Sequence, residues 1–80
     1  MDAELTELLE LTCMDAIRGD PPGPGVAARL ERDITALLRS RGITGFRVTA
    51  QSSKTGTFVE LLLPTPKRTV ERVVLNLGMR

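Results

Sequence analysis

The sequence predicts an α+β domain: two helices and a three-stranded, mainly antiparallel sheet whose terminal strand is able to pair with a neighbouring chain. Three observations predict it. Apolar residues recur at three- and four-residue spacing over residues 2–18 and again over 26–41, the period of a helix with one buried stripe. Residues 45–51 alternate apolar and polar, the period of a half-buried strand. Residues 57–63 and 70–77 are rich in Val and Leu, and the proline-broken connection Pro64-Thr65-Pro66-Lys67-Arg68 sets them apart as two strands.

In the first helix, Asp2 suits the N-cap, and Glu4 and Glu7 sit near the positive end of the helix dipole. Leu5, Leu8, Leu9, Cys13, Ala16 and Ile17 make one apolar stripe. Cys13 lies inside that stripe, which makes it a small buried hydrophobe and not a reactive thiol. Residues 19–25 hold three prolines and three glycines and read as a linker. They are not a phosphate-binding loop, because no Lys-Ser/Thr pair follows and no strand precedes. In the second helix Val26, Leu30, Ile34, Leu37 and Leu38 share a face, with Arg29, Arg32, Asp33 and Arg39 off it. Gly42 fits the left-handed position after the helix, Ile43 behind it closes a Schellman-type stop, and Arg39 and Arg41 favour the negative end of the dipole. The chain thus divides into an acidic helix (1–18), a Pro/Gly linker (19–25) and a helix-plus-sheet unit (26–80).

The first strand turns Phe46, Val48 and Ala50 inward and Arg47, Thr49 and Gln51 outward. A polar turn, Ser52-Ser53-Lys54-Thr55-Gly56, then leads into an antiparallel partner. The second and third strands depart from simple alternation. Val59, Leu61 and Leu63 form one face, while Phe58 and Leu62 flank Glu60 on the other. Val73, Leu75 and Leu77 form one face, while Val70 and Val74 stand beside Arg72 and Asn76 on the other. One covering helix needs only one apolar face, so the second face calls for another layer. That layer is either the first helix folded back over the linker or a neighbouring chain.

Composition removes most chemistry. The chain has 80 residues, one cysteine and no histidine, so an internal disulfide, Cys/His metal clusters and His-based catalysis are all excluded. Ser52, Ser53 and Thr55 have no histidine to activate them, and Glu10 and Asp15 have no catalytic partner. No catalytic, cofactor or metal site is expected. No apolar run reaches the length of a membrane span and no secretory signal is recognisable. A chain this short buries only about 60–65% of its unfolded surface, which leaves a partner as the remaining source of burial.

The net charge of +1 hides a segregation of sign. Residues 1–20 hold six acids against one base, and residues 21–80 hold ten bases against four acids. Solvated helix and sheet faces are the ordinary account of such a split; the sharper one is complementary ends that steer subunits head to tail. A basic face for nucleic acid is the rival reading, with Arg47, Lys67, Arg68, Arg72 and Arg80 as its patch. Against it, Phe58 is the one strand aromatic available for base stacking, and no GxxG loop follows the second helix.

The order of elements also carries a resemblance. Leu37-Leu38-Arg39-Ser40-Arg41-Gly42-Ile43-Thr44-Gly45-Phe46-Arg47-Val48 is followed by Gly56-Thr57-Phe58-Val59-Glu60-Leu61-Leu62-Leu63-Pro64 and then by Val70-Glu71-Arg72-Val73-Val74-Leu75-Asn76-Leu77. Over residues 28–80 this resembles the C-terminal domain of contractile-phage tail sheath proteins and the related sheath-initiator proteins of the baseplate. The resemblance implies a shared sheet in which strands are donated between adjacent subunits. It implies tail sheath, tube or baseplate proteins as partners, a ring-forming oligomer, and a place in the virion tail after synthesis in the host cytoplasm. A full sheath protein is several times longer, which favours an initiator, terminator or adaptor. The partner interface expected on this basis is Phe58, Leu62, Val70, Arg72, Val73, Val74, Leu75, Asn76 and Leu77.

Overall fold

The computed structural model describes residues 3–79, with side chains described through Leu77. Its elements run α1 (Ala3–Ile17), α2 (Pro24–Ser40), β1 (Arg47–Ser53), β2 (Gly56–Pro64) and β3 (Val70–Met79). The α+β class is therefore as the sequence predicts: two helices and one antiparallel sheet in the order β1-β2-β3. No helix among the described residues is long and apolar enough to cross a membrane.

Three of the boundaries that differ from expectation have a clear local cause or consequence. Helix α2 starts at Pro24, inside the expected linker, because proline is tolerated in the first helical turn, where its missing N–H has no partner to lose. Strand β1 starts at Arg47 because Gly45 adopts a left-handed φ of 74°, which makes it part of a turn. The same strand runs on to Ser53, so the expected five-residue polar turn shrinks to Lys54 and Thr55. Asp2, the expected N-cap of α1, lies outside the described residues.

The stop of α2 follows its sequence. Gly42 has φ 78°, Ile43 N–H donates to Leu38 O (3.0 Å) and Gly42 N–H to Arg39 O (3.0 Å), the paired bonds of a Schellman motif. The chain then reverses into β1 and lays α2 on one face of the sheet. Val26, Leu30, Ile34 and Leu38 from α2 meet Ala50, Val59, Leu61 and Leu63 from the sheet in a single core. Each fully buried leucine there contributes about 1.5–3 kcal/mol.

Helix α1 folds back across the linker and completes that same core with Leu5, Leu9, Cys13 and Ala16. It runs antiparallel to α2, with Arg41 near Glu4 at one end (3.4 Å) and Arg29 near Ala16 at the other. Arg29 staples the corner. Its guanidinium donates to Ala16 O (3.2 Å), one of the carbonyls left over at the end of α1, and pairs with Asp20 of the linker. Gly23 N–H donates to Ser52 Oγ (3.1 Å), and Ser52 shares a hydrogen bond with the buried Thr57 hydroxyl (2.9 Å), so the linker is fastened to the far end of β1.

Candidate functional site

The functional question reduces to which surfaces of the sheet remain open. Both helices lie on its inner face, so among the described residues nothing covers the outer face. That face carries Arg47, Thr49 and Gln51 from β1, Phe58, Glu60 and Leu62 from β2, and Val70, Arg72, Val74 and Asn76 from β3. Phe58 is 40% exposed, Val74 53% and Val70 64%. The layer that the sequence required over this face is not supplied by α1.

The two sheet edges differ, and two hydrogen bonds fix how. In an antiparallel ladder alternate residues turn both backbone groups toward the neighbouring strand and the others turn them away. Ala50 N–H points away from β2, because it donates to the Glu31 carboxylate of α2 (3.0 Å). The β1 edge is thus partly closed by its own chain. On the other side Thr65 N–H donates to Thr69 O (3.0 Å), the last rung before the turn. Counting along the register, Leu63↔Glu71, Leu61↔Val73 and Val59↔Leu75 are the bonded pairs. Val70, Arg72, Val74 and Asn76 then turn their N–H and C=O groups to the outer edge of β3, where no other strand of the sheet lies. A register shift between Thr57 and Phe58 leaves Leu77 as an extra residue and bounds this open stretch.

The hairpin that delivers β3 to the edge is tight. Arg68 N–H donates to Thr65 O (3.1 Å), closing a turn with Pro66 at its second position, and Arg68 follows with φ 65°. Thr65 and Thr69 side chains bond across its mouth (2.7 Å).

The nine residues expected at a partner interface separate into two groups. Phe58, Leu62, Val70, Arg72, Val74 and Asn76 are together on the outer face, and the last four also present the edge-facing backbone. Val73, Leu75 and Leu77 point inward, half-buried against the protein's own core, with Val73 and Leu75 bonded to β2. Their packing within the chain is the physical reason they fall outside the open surface. Sequence reasoning missed Glu31, whose bond to Ala50 spans 19 residues and has no local signal.

Of the basic patch, Arg47 and Arg72 stand on either side of Leu62, one cross-strand row of the outer face. Arg72 is paired with Glu60 on that face, Lys67 and Arg68 sit in the hairpin turn, and Arg80 lies outside the described residues. Cys13 is fully buried; loss of solvent, and secondarily the nearby Glu10 charge, pushes its thiol up to about 11. Among the described residues no group of three or more Cys, Asp or Glu is placed to hold a metal ion. Comparison of the chain with family models, curated proteins and solved structures gave no match.

Proposed function

We propose that this chain is a non-enzymatic assembly protein that binds by accepting a strand at the outer edge of β3. The observation that supports this reading is the contrast between the sheet edges: β1 is closed at Ala50 by Glu31, while Val70, Arg72, Val74 and Asn76 leave β3 open beside exposed apolar side chains. Strand addition draws affinity from backbone hydrogen bonds and register from alternate side chains, so it needs no catalytic residue. An open strand of this length is otherwise an aggregation hazard, and a partner that covers it removes the hazard.

The particular assembly we propose is a phage contractile tail, with this chain as sheath initiator, terminator or adaptor in the virion. It would join sheath, tube or baseplate proteins in a ring. The support is the order Gly42, Gly45-Phe46, Gly56, Pro64 and the Val-rich ending, which resembles the sheath C-terminal domain. Co-expression with contractile-tail sheath and tube proteins from the same genome tests both levels. Wild type should enter the assembled particle, and Val74→Pro, which removes an edge N–H, should not. Entry of Val74→Pro or of a chain ended after Arg68 at wild-type level rules out strand pairing. Absence of contractile-tail genes around its own rules out the particular assembly. The rival reading, a nucleic-acid module using Arg47, Lys67, Arg68 and Arg72, predicts binding to DNA or RNA that falls steeply with salt.

A further inference from the structure

The exposed large hydrophobic residues among the described residues are Leu11, Met14, Phe58, Val70 and Val74. They are not scattered. Phe58, Val70 and Val74 share the outer face of the sheet, and Leu11 and Met14 share the ridge of α1 turned away from the core. On that ridge, helical spacing sets Glu7 and Glu10 beside Leu11 and Met14, all exposed. On the sheet face, Arg47 and Arg72 flank Leu62 in the row nearest the β2–β3 turn, and Lys67 and Arg68 occupy the turn itself. Glu60 lies on the same face and pairs with Arg72, so the basic excess there rests on Arg47 and the Lys67–Arg68 turn. One surface is therefore apolar and acidic, and the other is apolar and net basic.

The two surfaces cannot meet within one chain. The ridge lies on the side of α1 away from the core, and the outer face lies on the side of the sheet away from the same core. We infer that they meet between chains: the α1 ridge of one copy docks on the outer sheet face of the next. Leu11 and Met14 cover Phe58, Leu62 and Val74, and Glu7 and Glu10 approach Arg47 and the Lys67–Arg68 turn, while Arg72 keeps Glu60. A helix over a sheet is the ordinary second layer for an apolar sheet face, here supplied in trans. The contact is head to tail, so a copy with one surface occupied keeps the other free, and copies add into a ring or a stack. It uses side chains of the face and leaves the β3 backbone edge available, so it stands apart from strand addition. Opposite charge at the rim makes it salt-sensitive.

Leu11→Lys and Phe58→Glu provide the test, read by analytical ultracentrifugation with unfolding followed by circular dichroism. Leu11→Lys spoils the ridge and keeps the sheet face; Phe58→Glu spoils the sheet face and keeps the ridge. Wild type should form concentration-dependent oligomers at low salt, weakened about tenfold or more near 0.5 M NaCl, where screening acts within roughly 4 Å. Each variant alone should be a monomer, and an equimolar mixture should give a dimer that grows no further. If Phe58→Glu does not fold, Arg47→Glu takes its place at the exposed edge of the same face. A monomeric wild type at low salt overturns the inference. So does self-association of Leu11→Lys alone, which would place the contact between like sheet faces, or a mixture that stays monomeric.

Discussion

Moving a proline by one residue along β3 separates the two directions in which its backbone points. At Val74 the N–H faces the outer edge, so Val74→Pro deletes no rung of the β2–β3 ladder. Val74 is 53% exposed and the pyrrolidine ring retains much of its apolar surface, so the cost is about 1 kcal/mol or less. At Val73 the N–H is the rung to Leu61, so Val73→Pro leaves a carbonyl of the central strand unpaired, which costs about 1–3 kcal/mol. The ring's poorer fit at half-buried Val73 adds about 1 kcal/mol, for a total of about 2–4 kcal/mol. An 80-residue domain is stable by roughly 4–12 kcal/mol, so this is a large fraction. One kcal/mol moves Tm by about 4–8 °C in a domain of this size, which predicts a loss of at most about 8 °C for Val74→Pro and about 8–30 °C for Val73→Pro. Far-ultraviolet circular dichroism is the assay, since the chain has no Trp or Tyr to report by fluorescence. Equal losses, or a greater loss at Val74, would refute the assignment of edge-facing groups and the strand-addition reading built on it.

Further outcomes follow from three particular residues. Arg68→Gly removes the cost of a left-handed non-glycine and should raise stability by about 1 kcal/mol, measured by urea unfolding. Glu31→Ala leaves Ala50 N–H without its acceptor and opens the β1 edge; it should cost about 1–3 kcal/mol and increase self-association in light scattering, while Glu31→Gln, which keeps a carbonyl acceptor, should do neither to the same degree. Cys13 should resist alkylation in the folded chain at pH 8 and react on addition of denaturant. Its thiol keeps its proton in the folded chain up to about pH 11, while the unfolded chain releases it near 9.0, so stability should be complete below pH 9 and decline as pH rises toward 11.

Much of the fold was legible because its signals are local. The apolar stripes around Leu9 and Leu30, the stop at Gly42 and the inward and outward faces of β2 and β3 each follow from neighbours within a turn or a pleat. Helix propensity and strand alternation act over those distances. The open face was legible for the same reason, since Phe58, Leu62, Val70 and Val74 break the alternation. The position of α1 was not, because its return depends on burying Leu5, Leu9, Cys13 and Ala16 against residues of α2 and the sheet that lie far along the chain. The closure of β1 by Glu31 is likewise a tertiary bond made by a residue that reads as an ordinary helix-surface acid. The inward packing of Val73, Leu75 and Leu77 was visible as a pattern, yet it distinguishes interface from core only once the helices are placed. The helix start at Pro24 shows that proline marks a boundary without saying on which side of it the helix lies.

Residue-resolved amide hydrogen exchange along β3, compared between the free chain and the chain assembled with the sheath and tube proteins proposed as its partners, tests the central claim most directly. With oligomers dissociated by salt, the amides of Val73 and Leu75 should be protected and those of Arg72, Val74 and Asn76 should exchange freely, in strict alternation. On assembly those three should gain protection together. Protection of Arg72, Val74 and Asn76 in the free monomer, or no gain in the assembled state, would contradict an open edge that accepts a partner's strand.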